Sequence, residues 1–391
     1  MRNLKDIDTN GKKVLMRVDF NVPFTDNGSI SDDTRIRAVL PSINYLLEQG
    51  ARLILCSHCG RPRGKRINKY SLAPIAARLA ELLGRPVTLA PDCLGAETEE
   101  MARNLKDGEV LLLENLRFHA AEQNNEAGFA RDLASLAEIY INDAFAVSHR
   151  THASVAGVTD YLKVKAAGFL LEKEMDFFNR AIADPVKPLA VILGGAKVSS
   201  KLGAIRNMLD QVDVMIIGGA MANTFLKSQG FDVGKSLVED DLLDTAGELI
   251  DLARDKGVDF YLPVDSIAAS EFSPRAASKT TTIYNIPRTW LALDIGPATS
   301  LLYQEALAGV ETIVWNGPMG AFEMEPFSHG SLTMVEAVSA SPALVVVGGG
   351  DTNALINQAG AADKISYMST GGGAFLMLLE GKELPGVRAL E

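Results

Sequence analysis

Short runs rich in Val, Ile and Leu recur along the chain, each ending in a polar or glycine-rich cluster and each followed by a longer stretch with helical spacing. The segments KVLMRVDFNVP (13–23), RLILCSHCGRP (52–62), EVLLLENLRFH (109–119) and EIYINDAFAVSH (138–149) form a first set of strands running into loops. LAVILGGAK (189–197), DVMIIGGAMANTF (213–225), TIVWNGPMGAFE (312–323) and ALVVVGGGDT (343–352) form a second. Their apolar residues are consecutive, as in strands buried on both faces of a parallel sheet with helices on each side. The alternation therefore predicts an α/β fold of doubly wound parallel sheets. At roughly 150 residues per domain, the 391 residues suit two such units. The apolar spacing of AAGFLLEKEMDFFNRAI (166–182) predicts a helix linking them, after which DPVKP opens the second.

Lys and Arg number 38 against 49 Asp and Glu, a net charge of -11 and the opposite of a general nucleic-acid binder's footprint. No nucleic acid is expected as a partner, and any anionic ligand must meet a local basic patch. No stretch approaches the roughly 18 consecutive apolar residues of a membrane span, and MRNLKDIDTNGKK has no signal-like apolar region. Neither a membrane partner nor export is expected. Three cysteines, Cys56, Cys59 and Cys93, are too few and of the wrong parity for a disulfide framework, which fits a reducing cytoplasm.

Ligands of open parallel sheets bind beyond the carboxyl ends of the strands, so the loops that follow the two sets are the expected binding surfaces. The first set is followed by Arg17, Asp19, Asn21, Arg35, Arg37, His58, Arg61, Arg63, Arg117, His119, His149, Arg150 and His152. Taken singly, a strand-end Arg or His is ordinarily solvated or paired with a local carboxylate. Five loops carrying them together point to a pocket for a small phosphorylated acid, because arginine forks match phosphate and carboxylate oxygens. Asp19 and Asn21 would receive its hydroxyl protons.

The second set is followed by Gly194-Gly195, Gly218-Gly219 and Gly348-Gly349-Gly350, with Gly371-Gly372-Gly373 near the C-terminus. One glycine pair is ordinary turn chemistry. Four clusters at strand or helix boundaries favour close backbone approach to nucleotide phosphates. Asp351 is then placed to hold Mg²⁺ and Glu323 to accept ribose hydroxyls. GFDVGKS (230–236) resembles a phosphate-binding loop but has one residue too few between its glycines and follows no apolar strand; it reads as a loop. The dinucleotide spacing G-x-G-x-x-G is absent from both GGGDTN and GGAMAN, which argues against a dehydrogenase. Cys56-Ser57-His58-Cys59 lacks the further ligands of a metal site, and Cys56 reads as a small buried hydrophobe. Trp290 and Trp315 read as core.

RVDFNVP (17–23), DDTRIRA (32–38), SHCGRP (57–62), ENLRFH (114–119), INDAFAVSHRTHAS (141–154), LGGAKVSSKL (193–202), WNGPMGAFE (315–323), GGGDT (348–352) and STGGGA (369–374) resemble the phosphoglycerate kinase family, in that family's order. The resemblance covers nearly the whole chain. It implies two α/β domains of similar size joined by a helix, 1–165 with about 378–391 for phosphoglycerate and 166–377 for nucleotide, the C-terminal tail packing back on the first. It also implies a cytoplasmic, hinge-bending monomer of glycolysis that moves a phosphoryl group between 1,3-bisphosphoglycerate and ADP, giving 3-phosphoglycerate and MgATP. By motif position, Asp19, Asn21, Arg35, His58, Arg61, Arg117 and Arg150 would hold the phosphoglycerate. Lys197, Lys201, Gly219, Asn316, Glu323, Gly349, Gly350, Asp351 and Thr352 would hold the nucleotide, with Asp351 reaching Mg²⁺.

In-line transfer needs no covalent enzyme intermediate, so catalysis is positioning plus neutralisation of the moving phosphoryl oxygens, assigned to Arg35, Lys197 and the amides at Gly371 and Gly372. Substrates held on separate domains require closure before transfer. Cys59 departs from the family's usual leucine, and Ala146-Val147-Ser148 from its usual Gly-Thr-Ala, without touching charge neutralisation. Two rival readings are a nicotinamide-dependent oxidoreductase and a non-catalytic two-lobed binding protein for a phosphorylated acid. The missing fingerprint disfavours the first, and the second leaves Lys197 and Asp351 without a task.

Overall fold

The computed structural model describes residues 1–391. They divide into two compact units, Met1–Met175 with Glu383–Glu391, and Asp176–Lys382. In the first unit the strands are β1 (Lys13–Val18), β2 (Arg52–Cys56), β3 (Val87–Leu89), β4 (Val110–Leu112), β5 (Ile139–Asp143) and β6 (Val164–Ala167). They form one parallel sheet in the order β3-β4-β2-β1-β5-β6. β1 lies centrally because Val14, Leu15, Met16 and Val18 are all excluded from solvent, on both faces of the sheet. The helix Thr34–Glu48 covers one face with Ile36, Val39, Ile43, Leu46 and Leu47, the helical spacing of an apolar stripe. Each such side chain contributes roughly 1.5–3 kcal/mol by leaving water.

The second unit contains β7 (Leu189–Leu193), β8 (Val214–Ile217), β9 (Asp259–Tyr261), β10 (Asp265–Ala269), β11 (Ser278–Thr282), β12 (Leu291–Ile295), β13 (Thr312–Asn316), β14 (Leu344–Val347) and β15 (Tyr367–Met368). Six form a parallel sheet, β15-β14-β13-β7-β8-β9. The other three form an antiparallel sheet, β11-β10-β12. All eight expected strands are present. The antiparallel sheet was not foreseen, because β11 is SKTTT with four of its five residues exposed and offers no apolar signal. Trp315 is fully buried, but Trp290 is only half-buried, with Lys279 Nζ 5.3 Å from its ring centre.

Two bounds differ from the sequence reading. Ala166 and Ala167 continue β6 against β5, so the first unit extends past 165 and the linking helix begins at Phe169, ending at Phe178 in a π-helical turn over Asn179–Ala183. The helix Gly372–Leu379 stays with the second unit, where Asn207 Nδ2 donates to the Leu379 carbonyl at 2.8 Å, so the returning tail starts at Glu383. That tail docks through Gly386 N–H to the Ser148 carbonyl (2.8 Å) and Lys165 Nζ to the Ala389 carbonyl (2.6 Å). No helix is long and apolar enough to cross a membrane.

Asp143, at the end of β5, caps the start of the linking helix by accepting the Leu171 amide at 3.0 Å. Its other oxygen, Oδ2, is buried without a partner, and burial raises its carboxyl from 3.8 to about 7. The folded state thus binds a proton that the unfolded state has released, and this contribution is full below about pH 4 and lost as pH rises to about 7. Relative to Asp143→Asn, the wild type is expected to lose about 4 kcal/mol of unfolding free energy over that window. Denaturant titrations across pH measure this, and a difference independent of pH would contradict the protonated carboxyl.

Candidate functional site

The loops after β1, β2, β4 and β5 build a cluster around Asp19. Arg35, in the first turn of its helix, donates to Asp19 Oδ2 at 2.8 Å and to the Asn21 carbonyl at 3.1 Å. Asn21 Oδ1 accepts the Gly60 amide at 2.8 Å, and the Gly60 carbonyl accepts from Arg117 NH1 at 2.8 Å. Asn115 locks the β2 and β4 loops together, donating to the Cys59 and Tyr70 carbonyls at 2.8 Å each and accepting the Arg117 amide at 3.0 Å. His58 is buried with Nδ1 3.5 Å from Asp19 Oδ1. Arg150 stands beside His149 (Nε to Nε2, 3.2 Å), and its charge is felt at Arg117.

Positive charge accumulates here beyond what the local carboxylates offset. Burial, then the charges of Arg17 and Arg150, bring Arg117 down to about 10, and its buried Nε has no partner. Burial and the charges of Arg17, Arg117 and Arg150 lower His152 to about 3. His58 is held well below its usual value by burial and then by Arg17 and Arg117. Such a concentration of positive charge suits an anionic ligand. Arg61 is exposed and makes no hydrogen bond, and its neighbour Arg63 has a left-handed backbone, φ 58°. Of the remaining basic residues, Arg37 and His119 do not join the cluster, and Arg17 lies beneath it with NH2 3.1 Å from His58 Nδ1. Arg37 pairs with Asp33 at 2.8 Å, His119 pairs with Asp92 at 2.7 Å, and Arg17 is wholly interior.

In the second unit, the turns after β7, β8, β13 and β14 pack backbone against backbone. The Gly195 amide donates to the Pro318 carbonyl, the Gly219 amide to Met319 and the Met221 amide to Gly195, each at 3.0 Å. Gly219 has φ +68°, and a Cβ there would lie 2.5–2.9 Å from Gly195 N, Gly195 O and Pro318 O. Lys201 is buried, donates to Asn316 Oδ1, and is lowered to about 8 by burial, with Asp351 opposing the shift. Asn316 in turn donates to the Gly348 carbonyl at 2.7 Å, and Thr352 Oγ1 accepts the Gly317 amide at 2.8 Å.

Gly349 caps the helix Gly350–Gln358, whose first turn carries the exposed Asp351. Gly371 caps the helix Gly372–Leu379, and a Cβ on Gly372 would sit 3.2 Å from Gly349 Cα. Two helix N-termini therefore present amides side by side, the arrangement that attracts phosphate. Lys197 is exposed and faces no carboxylate within ion-pair distance, while Glu323 is exposed and apart from these bonds. A pocket between Gly219, Ala222, Leu226, Ile283, Leu293 and Met319 was not visible in the sequence, because part of its wall is the antiparallel sheet. Ser266, whose buried hydroxyl has no hydrogen-bond partner, lies in its wall.

Residues 4–382 match the family model for phosphoglycerate kinase. A phosphoglycerate kinase of Desulfotalea psychrophila is 59% identical over 391 residues, covering 100% of both chains. One of Geobacter metallireducens is 57% identical over 392 residues, covering 100% of this chain and 98% of its own. Among solved structures, phosphoglycerate kinase from Coxiella burnetii has a TM-score of 0.90 at 42% identity, and that from Pyrococcus horikoshii 0.86 at 34%, each covering 100% of this chain and 98% of the other. With a basic cluster on one parallel sheet, glycine turns on the other and this likeness along its length, the chain belongs to the phosphoglycerate kinase family.

Proposed function

We propose that Asp19, Asn21, Arg35, His58, Arg61, Arg117 and Arg150 hold phosphoglycerate, and that Lys197, Lys201, Gly219, Asn316, Glu323, Gly349, Gly350, Asp351 and Thr352 hold ADP or ATP. The reaction is the family's reversible phosphoryl transfer between 1,3-bisphosphoglycerate with ADP and 3-phosphoglycerate with ATP, a step of glycolysis. The observation that carries the first assignment is the surplus of buried positive charge at Arg117, with a guanidinium nitrogen left unpartnered. A phosphate or carboxylate oxygen would satisfy that donor with a charge-assisted hydrogen bond.

Asp351 fits Mg²⁺: an exposed carboxylate at a helix N-terminus, making no hydrogen bond of its own, is the one or two protein oxygens that this ion takes beside phosphates. When bound, the ion neutralises nucleotide phosphate charge. Arg35, Lys197 and the amides at Gly371 and Gly372 would stabilise the equatorial oxygens of the group in flight, and no side chain needs to form a covalent bond to it. Substrates on separate units require domain closure, which also excludes water from the acyl phosphate. We take the enzyme to act as a monomer in the cytoplasm on small molecules alone. Neither rival reading is supported by the family assignment.

The test is coupled detection of ADP from MgATP. Formation that requires 3-phosphoglycerate supports the assignment, and a folded chain that binds both ligands without turnover would overturn it. Lys197→Ala is expected to lower kcat by on the order of 10²–10³-fold while leaving KM for 3-phosphoglycerate within a few-fold, because its charge is needed chiefly in the transition state. Equal losses in both would show that Lys197 acts on ground-state binding instead.

A further inference from the structure

Behind the basic cluster lies a buried polar chain that substrate contact does not explain. Glu122, Ser154 and Arg17 are each fully buried. Ser154 donates its hydroxyl to Glu122 Oε1 at 2.6 Å, and its amide to Glu122 Oε2 at 2.9 Å. The hydroxyl proton being spent on the carboxylate, Ser154 Oγ is left to accept Arg17 Nε–H, which it does at 2.9 Å. Tyr140 pins the same residue by donating its hydroxyl to the Ser154 carbonyl at 2.7 Å. Arg17 also donates to the Val18 carbonyl, and its NH2 lies 3.1 Å from His58 Nδ1.

A guanidinium has donors and no acceptor. Nδ1 of His58 must therefore offer its lone pair to Arg17, and the ring proton resides on Nε2. The alternative, a proton on Nδ1 shared with Asp19, is opposed by the geometry: the 3.5 Å separation from Asp19 Oδ1 exceeds normal hydrogen-bond reach. Asp19 is instead occupied by Arg35 and the Asn21 amide. A buried guanidinium in turn needs an anion close by, and Glu122 supplies it one hydroxyl away.

We propose that the buried chain Glu122–Ser154–Arg17 is a positioning device that sets the tautomer of His58, so that its Nε2–H is a hydrogen-bond donor to bound phosphoglycerate. The second half of this statement rests on the assignment of His58 to the phosphoglycerate site. Arg17 itself, with its donors turned inward, is a positioning residue and does not touch substrate.

The test uses the full chain labelled with ¹⁵N-histidine, with His58→Gln identifying the His58 resonances. The expected wild-type spectrum has Nδ1 at a pyridine-like shift and Nε2 at a protonated, pyrrole-like shift. A proton on Nδ1 would overturn the proposal from the wild type alone, whatever the variants do. Ser154→Ala, which strips Arg17 Nε of its acceptor, is expected to raise KM for 3-phosphoglycerate roughly tenfold, to leave KM for MgATP within about twofold, and to move the His58 signals toward a mixture of tautomers. An unchanged tautomer with unchanged KM would remove Ser154 and Glu122 from the device. If His58→Gln leaves KM for 3-phosphoglycerate unaltered, the site assignment fails, and that result is separate from the tautomer read by NMR.

Discussion

Arg35→Ala is expected to reduce turnover of 3-phosphoglycerate and MgATP by on the order of 10³-fold, the scale on which one arginine stabilises a phosphoryl group in flight. Arg35 is the member of the basic cluster that is both anchored and open: its NH1 is tied to Asp19 and the Asn21 carbonyl, yet its side chain is 37% exposed. Asp19 and the Asn21 carbonyl hold the guanidinium in place, leaving its other nitrogens to reach a ligand. Alanine removes this charge and leaves Asp19, 8% exposed at its side chain, without its cation. KM for MgATP should stay within about twofold, since nothing in the glycine turns depends on Arg35. Arg35→Lys should recover only part of the loss, because a single ammonium cannot keep the Asp19 bond and present a second planar pair of donors. The coupled ADP assay decides it, and a loss below about tenfold would assign Arg35 to structure alone.

Gly219→Ala should be a strongly damaging single-methyl change in the second unit. The added carbon meets Gly195 N at 2.5 Å, Gly195 O at 2.6 Å and Pro318 O at 2.9 Å, all backbone atoms that cannot rotate away. The position also has φ +68°, where a side chain is itself unfavourable. Together these are expected to cost about 3 kcal/mol or more, or to force the turns after β7, β8 and β13 apart. Because Gly219 is among the residues assigned to the nucleotide, nucleotide affinity should fall more than phosphoglycerate affinity. Denaturant unfolding and separate titrations with MgADP and 3-phosphoglycerate measure both effects. A variant as stable as the wild type, with unchanged MgADP affinity, would contradict the close packing.

Eight strands of the parallel sheets and the two families of loops were legible because each rests on local pattern: consecutive apolar residues for a doubly covered sheet, and glycine or basic clusters where the strand ends. The antiparallel sheet was not, since its strand SKTTT carries no apolar signal and is held by pairing across the chain. The basic set shows the same division residue by residue. Arg17, Arg37 and His119 looked equivalent to Arg35 and Arg117 in the sequence, yet Arg17 is interior and the other two are paired with Asp33 and Asp92.

Residue types and their order determined the α/β class, the division into a basic and a glycine-lined sheet, and the family, because these follow from periodicity and from chemistry carried by short contiguous segments. Only the tertiary structure decided which arginines have an anion already. It alone joined Glu122 to His58 through Ser154 and Arg17. The physical reason is that charge compensation, desolvation and the direction of a hydrogen bond depend on distances between segments far apart in the chain, which no local pattern encodes.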